Sequence, residues 1–417
     1  MRRAVHRRTL LRAAALTPLA GLVTGCGELG QAVGLGDFVR VAVTWSAAEL
    51  AAFARVLDRR GTAGYELIPL GDSIRAALSS RTSGRADIVA VPQVGHVTAN
   101  LGHLAPLPAG VWRAEYDRIV PAGARRYALP FKLANTSVVW YRKDLGITPP
   151  DTWDAWLALN EDLIDDGIAP LALGGADGWA LAQFFDNVLL RTFPATFDAL
   201  TGRHEANLWT SREVRTAFEM VATMWGQAGA LAGGAGKALV QQFPDAVLEL
   251  CRYGRAAMVP APDFAESVIR RFAPDPRAYD TFTFPAGGTE DSPPLAVSSD
   301  LLVLAGPASG PAQDLLRYLA TPAAPVPWIR DTGGFIAANP DTDLRYYSPT
   351  LRRLAKELRD NDIRFGLGDQ LGGLGGSEGL QPVLQNLLRG IAAGVAPREA
   401  ARTAGQAMVD AEHRTGS

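Results

Sequence analysis

The chain has 417 residues, 47% of them apolar, and a formal net charge of −2 at pH 7. That length exceeds one ordinary domain and supplies apolar side chains for two packed cores. The balance shows no overall basic excess, and outside the Arg-rich first residues no basic cluster, which argues against nucleic acid as a partner.

The first stretch, MRRAVHRRTLLRAAALTPLAGLVTGCG, reads as a targeting segment and is set aside from fold reasoning. Arg2, Arg3, Arg7, Arg8 and Arg12 form a positive region ahead of an apolar run from Ala13 to Val23. As a helix that run would reach roughly 16 Å, about half of a bilayer's hydrocarbon core, too short for a stable span. It ends in Leu22-Val23-Thr24-Gly25-Cys26, which resembles the bacterial lipobox, and His6-Arg7-Arg8-Thr9-Leu10-Leu11 resembles a twin-arginine export motif without its usual Ser and Phe. Residues 1–25 are therefore expected to be a signal peptide, Cys26 the lipidated residue, and 26–37 a Gly-rich tether to the membrane. Cleavage removes five Arg and no acid, taking the charge from −2 to about −7. It also leaves Cys251 as the single thiol, so neither an intrachain disulfide nor a cysteine-based metal site can form.

After the tether, Phe38–Val43 is a β-rich run, Ser46 to Glu49 has the form of a capping box, and Leu50, Phe53, Ala54 and Leu57 follow at helical spacing. Tyr65–Leu70 is the next strand, Arg75–Ser80 a short helix, and residues 86–92 a third strand. Strand, helix and strand within about thirty residues make a parallel crossover unit. Strands follow at 137–141 and 168–175, a helix capped by Asp151 or Thr152 lies between them, and further helices fall at 178–192, 211–226 and 242–253. Strand-like runs at 256–260, 281–285 and 300–306 precede a largely helical remainder. The fold class is α/β, with two lobes.

Enzymatic signatures fail on context. Gly375-Gly376-Ser377-Glu378-Gly379 has the letters of a nucleophile elbow, but QLGGLGG precedes it where a buried strand is required. No phosphate-cradling Gly-Lys-Ser/Thr loop occurs, and the five histidines are scattered without close carboxylates. Neither a cofactor nor a metal is expected. Aromatic and planar polar residues do fall just after strands or at helix starts, where open α/β sheets bind ligands. Trp45 follows the first strand, Gln93 the third, and Asp177 and Trp179 lie where a strand joins a helix on which Trp179, Gln183 and Asp186 share a face. A ring stacked on a sugar, with carboxylates and amides taking its hydroxyls, is an economical way to hold a neutral carbohydrate. Trp153, Trp156, Trp209 and Trp225 read as core, Trp140 is open between core and site, and Glu49 reads as a helix cap.

The run LPFKLANTSVVWYRKDLGITPPDTWDAWLALNEDLIDDGIAPLALGGADGW, with Gly254-Arg255-Ala256-Ala257-Met258 and Gly333-Gly334-Phe335, resembles the solute-binding proteins of carbohydrate ABC importers, similar to maltose-binding protein, from about residue 38 to 410. The resemblance implies two α/β lobes that exchange strands through a hinge around an interlobe ligand cleft. It places residues 38–132 and 298–344 in the N-terminal lobe and 133–297 and 345–417 in the C-terminal lobe. The chain is expected to cross near Phe131–Asn135 and return near Val297–Asp300. It implies ligand contacts from Lys132, Asn135, Asp177, Trp179, Asp263, Phe264, Asp300, Trp328, Gly334 and Phe335, beside Trp45, Gln93 and Asp186. The implied partners are a carbohydrate and permease subunits coupled to a cytosolic ATPase, for a monomer outside the membrane. A late Arg-Phe-Asp-Leu-Ser-Asp motif of many relatives reads Arg364-Phe365-Gly366-Leu367-Gly368-Asp369 here, which puts a ligand contact from that loop in doubt. A glycan hydrolase working through two cleft carboxylates, or a ligand-presenting lipoprotein for a sensor, are the competing readings.

Overall fold

The structure, a computed structural model, describes residues 38–45, 47–60, 64–71, 74, 78, 86–203, 206–288 and 292–415. The export segment, Cys26, the tether, Ser46 of the capping box and most of the 75–80 helix lie outside the described residues.

The N-terminal crossover forms as its pattern predicts. Strands β1 (Val39–Val43), β2 (Tyr65–Pro69) and β3 (Ile88–Val91) pair in parallel, with β1 in the middle and the Ala47–Asp58 helix between β1 and β2 in sequence. β4 (Leu104–Ala105) is short, and β5 (Ala128–Asn135) is buried along its whole length. β6 (Val138–Arg142), β7 (Ala169–Leu171), β8 (Ala256–Pro260) and β9 (Tyr279–Thr283) form a second sheet in the order β7-β8-β6-β9. The chain returns through β10 (Leu295–Ala305), β11 (Ile336–Ala337) and β12 (Ile363–Phe365), giving the large sheet the order β11-β5-β10-β3-β1-β2, with β4 and β12 also on β10. Each sheet centres one α/β lobe.

Two strands therefore join the sheets. β5 passes into β6 through Thr136 and Ser137, and β9 leads back to β10. Polar groups fix the first passage: Asn187 donates through Nδ2 to the Thr136 carbonyl at 2.8 Å, Ser137 Oγ bonds Asn187 Oδ1, and the Ala296 N–H donates to Ser137 Oγ at 2.7 Å. A buried backbone between two sheets needs such partners. β10 starts earlier than the sequence suggests, because Leu295–Val297 pairs with β12 and Val297–Ser299 with β5.

The aromatic residues read as core are core. Trp153, Trp156, Trp209 and Trp225 are all at most 6% exposed, and the Thr152 hydroxyl caps the Trp153–Asp165 helix by accepting the Ala155 N–H at 3.2 Å. Trp140, left open by its sequence context, is 2% exposed and donates to the Pro262 carbonyl. The Pro349–Asp360 helix packs Leu351, Leu354, Ala355 and Leu358 into the core shared with the large sheet, whereas the Leu380–Ala392 and Pro397–Thr415 helices pack with the small sheet. No described helix is long and apolar enough to cross a membrane.

Candidate functional site between the sheets

The site is built around the strand that leaves the large sheet. Lys132 on β5 is 3% exposed, and its Nζ lies 2.7 Å from Glu49 Oε1 and 4.0 Å from Asp300 Oδ2. Burial alone would lower this ammonium's pKa, but Glu49 and Asp300 outweigh it and hold Lys132 above the usual lysine range. Asp300 in turn accepts a hydrogen bond from Trp45 Nε1 at 2.9 Å. Glu49, read as a cap, is thus also the ion-pair partner of the buried amine; Ser46, the other half of the expected capping box, is not described.

Two aromatic groups flank Lys132. On the large-sheet side Trp45 packs edge-on against Trp328 at 5.1 Å between ring centres and against Phe53 at 4.8 Å, while Phe335 meets Trp328 at 4.9 Å and Phe131 at 5.2 Å. On the small-sheet side Trp179, Phe243 and Phe264 form a triangle of 5.0 to 6.1 Å separations. Lys132 Nζ sits 4.9 Å from the Phe264 ring centre and 5.4 Å from that of Trp328, within cation–π range of a ring from each group.

The aromatic residues divide by exposure. Trp179, Phe264 and Gln93 are half-buried, whereas Trp45 is 4% exposed and Trp328 and Phe335 are 0%. Trp328 and Phe335, expected to approach a ligand from the returning segment, have their faces covered by neighbouring rings and form the backing of the site. Trp328 Nε1 is buried without a hydrogen-bond partner among the described residues. Gly334 lies under Phe264: its N–H donates to Glu266 Oε2 at 2.9 Å, and a Cβ there would come within 2.8 Å of the Phe264 carbonyl oxygen, so only glycine fits. Asp177 is exposed on the loop before the Trp179–Thr192 helix.

Buried polar atoms complete the arrangement. Asp263, 0% exposed, accepts the Asn135 backbone N–H at 3.2 Å through Oδ2, while its Oδ1 and the Asn135 Nδ2 have no partner among the described residues. Asp186, 3% exposed, accepts the Leu367 N–H at 3.2 Å, and its Oδ1 is likewise unpartnered. Burial raises Asp263 to about 7 and Asp186 to about 8. Asp369, 8% exposed, is held well above the carboxylate range by burial and by the nearby Asp186 and Asp300. Unpartnered buried polar atoms are uncommon in folded proteins, and here they share a region with half-buried rings. That combination suits a ligand with apolar faces and many hydroxyls. No group of three or more His, Cys, Asp or Glu positioned to hold a metal occurs among the described residues.

Sequence reasoning brought Lys132, Asn135, Asp186, Asp263, Asp300, Trp179 and Phe264 into one region and missed Phe243, Asp369 and the role of Glu49. Phe243 opens a helix and carried no motif; Asp369 is the last residue of the altered Arg364–Asp369 run and was its remaining signal.

Comparison with known proteins agrees with this architecture. The chain is similar to the osmoprotective compounds-binding protein GgtB of Synechocystis sp., 27% identical over 348 residues that cover 75% of this chain and 79% of that protein. It is also similar to the alpha-glucosides-binding periplasmic protein AglE of Rhizobium meliloti, 31% identical over 162 residues, 37% of this chain and 30% of that one. Solved structures of RafE in complex with raffinose, and of the maltose/maltodextrin-binding domain MalE from Bdellovibrio bacteriovorus bound to maltotriose, share the fold. Their TM-scores are 0.72 and 0.66 at 14% and 15% identity, covering 90% and 91% of this chain and all of each neighbour (100%). A family model matches residues 66–324, well over half of the sequence, and the chain belongs to the bacterial extracellular solute-binding protein family.

Proposed function

We propose that the protein captures a mono- or oligosaccharide between its two lobes and delivers it to an ABC importer, acting outside the cell membrane as a monomer held by a lipid on Cys26. The observation that carries this reading is the pair of half-buried rings Trp179 and Phe264, joined by the buried Phe243, beside the unpartnered Asp186 Oδ1, Asp263 Oδ1 and Asn135 Nδ2. Rings offer stacking area to a pyranose, and the polar atoms gain the partners they lack. Trp179, Phe264, Asn135, Asp186, Asp263 and Gln93 are the proposed direct contacts. Lys132, Asp300 and Trp45 set the strand and its charge, Trp328 and Phe335 back the rings, and Gly334 keeps the returning segment close.

The lobes would hinge about the two strand passages, the first at Thr136–Ser137. A ligand touching both lobes favours the shut state only through its higher affinity for it. The sugar-binding names among the relatives support a carbohydrate, and the osmoprotectant-binding relative supports including small osmoprotective solutes among the candidates.

Incubating the chain from Gly27 onward with a panel of glycans and osmolytes tests the reading. Stoichiometric binding of unaltered sugar is expected. Turnover would instead establish the hydrolase alternative, with the cleft carboxylates as acid and nucleophile. Replacing Cys26 with Ala should release the protein from the membrane fraction, and persistence there would overturn the lipid anchor.

A further inference from the structure

The region between the sheets gathers more carboxyl groups than a neutral sugar requires. Glu49, Asp186, Asp263, Asp300 and Asp369 share it with Lys132, which lies nearest Glu49 and Asp300. Among the described residues no arginine or lysine forms an ion pair with Asp186 or Asp369. Both carboxylates flank one point of backbone: a Cβ on Gly366 would lie 2.6 Å from Asp186 Oδ2 and 4.0 Å from Asp369 Oδ2. The other groups facing the pair are Asp300, which raises Asp369 further, and the neutral Gln93, whose Nε2 is 3.8 Å from a Cβ placed on Gly368.

A second observation points to a ligand at the same place. Asn135, 0% exposed, has an unpartnered Nδ2, and its register partner Val297 accepts the Gly366 N–H at 3.4 Å. An unsatisfied donor thus lies one strand from the acids, and Asp186 Oδ1 is an unsatisfied acceptor among them. Two adjacent buried carboxylates cannot both stay ionised without a compensating charge. A proton supplies it in one way; an ammonium supplies it with three donors and displaces the proton. Trp179 and Asp186 lie on one face of their helix, about 10 Å apart along its axis, the span of a disaccharide.

Building on the carbohydrate reading, we propose that the ligand is a basic sugar, an amino-bearing di- or oligosaccharide whose ammonium is received between Asp186 and Asp369 while a neighbouring ring lies on Trp179 and Phe264. The direction of the titration shifts agrees: burial makes both acids hold a proton more tightly than an ordinary carboxylate, and a bound amine would release it.

Calorimetric titration of the chain from Gly27 with three β-1,4 disaccharides tests this: the diglucosamine, its di-N-acetyl form and the diglucose, at a pH where the amines are charged. The diglucosamine should bind about tenfold or more tighter than either neutral partner. Its apparent enthalpy should change with the ionisation enthalpy of the buffer, reporting proton release. Asp186→Asn and Asp369→Asn, both nearly isosteric, should erase the preference, read as the ratio of the amine's affinity to that of its neutral partners so that a loss common to all three sugars cancels, and should erase the proton release. Neutral sugars binding as tightly as the amine, or a preference untouched by both substitutions, overturns the proposal and leaves the carbohydrate reading standing. Failure of all three disaccharides and of the wider glycan panel overturns both.

Discussion

Asp263 accepts the backbone N–H of Asn135 at 3.2 Å, tying the loop after β8 to the last residue of the strand that leaves the large sheet. The bond is wholly buried, and it places a carboxylate and an amide, each with one unpartnered atom, where the lobes meet. Replacing Asp263 with Ala removes the acceptor and leaves the Asn135 N–H unsatisfied, a loss of about 1–3 kcal/mol in unfolding free energy. Urea denaturation reads the loss, and Asp263→Asn, which keeps an acceptor oxygen, should recover most of it.

Lys132 gives a second prediction. Its amine serves Glu49 and Asp300 together, so Lys132→Met leaves two acids facing each other without a cation. The Glu49 side chain is 28% exposed and regains water, which places the loss near about 2 kcal/mol, between the ranges for exposed and buried pairs. Denaturant titration measures it, and Glu49→Gln combined with Lys132→Met should lose less than the sum of the two single changes.

The two classes of tryptophan separate binding from stability. Trp179→Ala removes a half-buried ring that meets Phe243 and Phe264, and should weaken sugar binding by about tenfold or more with little change in unfolding. Trp156→Ala, at 0% exposure in the second core, should lower stability by about 3–5 kcal/mol. Calorimetry on the first variant and thermal unfolding on the second check the division.

Stability should also depend on pH in a stated direction. Asp263 and Asp186 titrate near 7 and 8 in the fold against about 4 in an unfolded chain. Both pKa values are raised, so each protonated group favours the fold fully below about pH 4, and that contribution is lost as pH rises through the folded values. The melting temperature of the ligand-free protein should therefore fall between pH 5 and pH 8.5 by about 3 °C or more. Asp186→Asn should flatten that fall. A melting temperature that rises over this interval would contradict the burial of unpaired acids.

The altered motif near residue 366 now has a steric reading. A Cβ at position 366 would lie 2.6 Å from Asp186 Oδ2, so this carboxylate has to move and give up the Leu367 N–H it accepts, whereas the nearest atom to a Cβ at position 368 is 3.5 Å away. Restoring Asp at 366 should cost about 1–3 kcal/mol by overpacking, with added like-charge repulsion, while Gly368→Ser should stay within about 0.5 kcal/mol of the parent. Urea midpoints of the two variants test the contrast.

Much of the fold was legible because period and caps agree. β8 runs over the residues read as a strand, and Thr152 caps the helix that carries Trp153 and Trp156. β10 was read late because Ser298 and Ser299 interrupt its apolar pattern; in the fold Ser299 Oγ donates to the Lys132 carbonyl at 3.0 Å, a contact between distant segments that no local pattern carries. The same reason hid half of the site. Trp179 and Asp186 share a helix face and could be paired by spacing, but the Glu49–Lys132 pair spans 83 residues and Asp186 meets the Leu367 N–H across 181. Trp328 and Phe335 are alike in sequence as aromatics of the returning segment, and only the packing of Trp45, Phe53 and Phe131 around them makes them backing.

The account rests on a carbohydrate gripped between the lobes by Trp179 and its neighbours, and isothermal titration of parent and Trp179→Ala with the strongest hit from a glycan panel tests it most directly. The account predicts one site per chain, recovery of the sugar intact, and about tenfold or more weaker binding by the variant. Equal affinity for parent and variant, or recovery of a cleaved sugar, would contradict it.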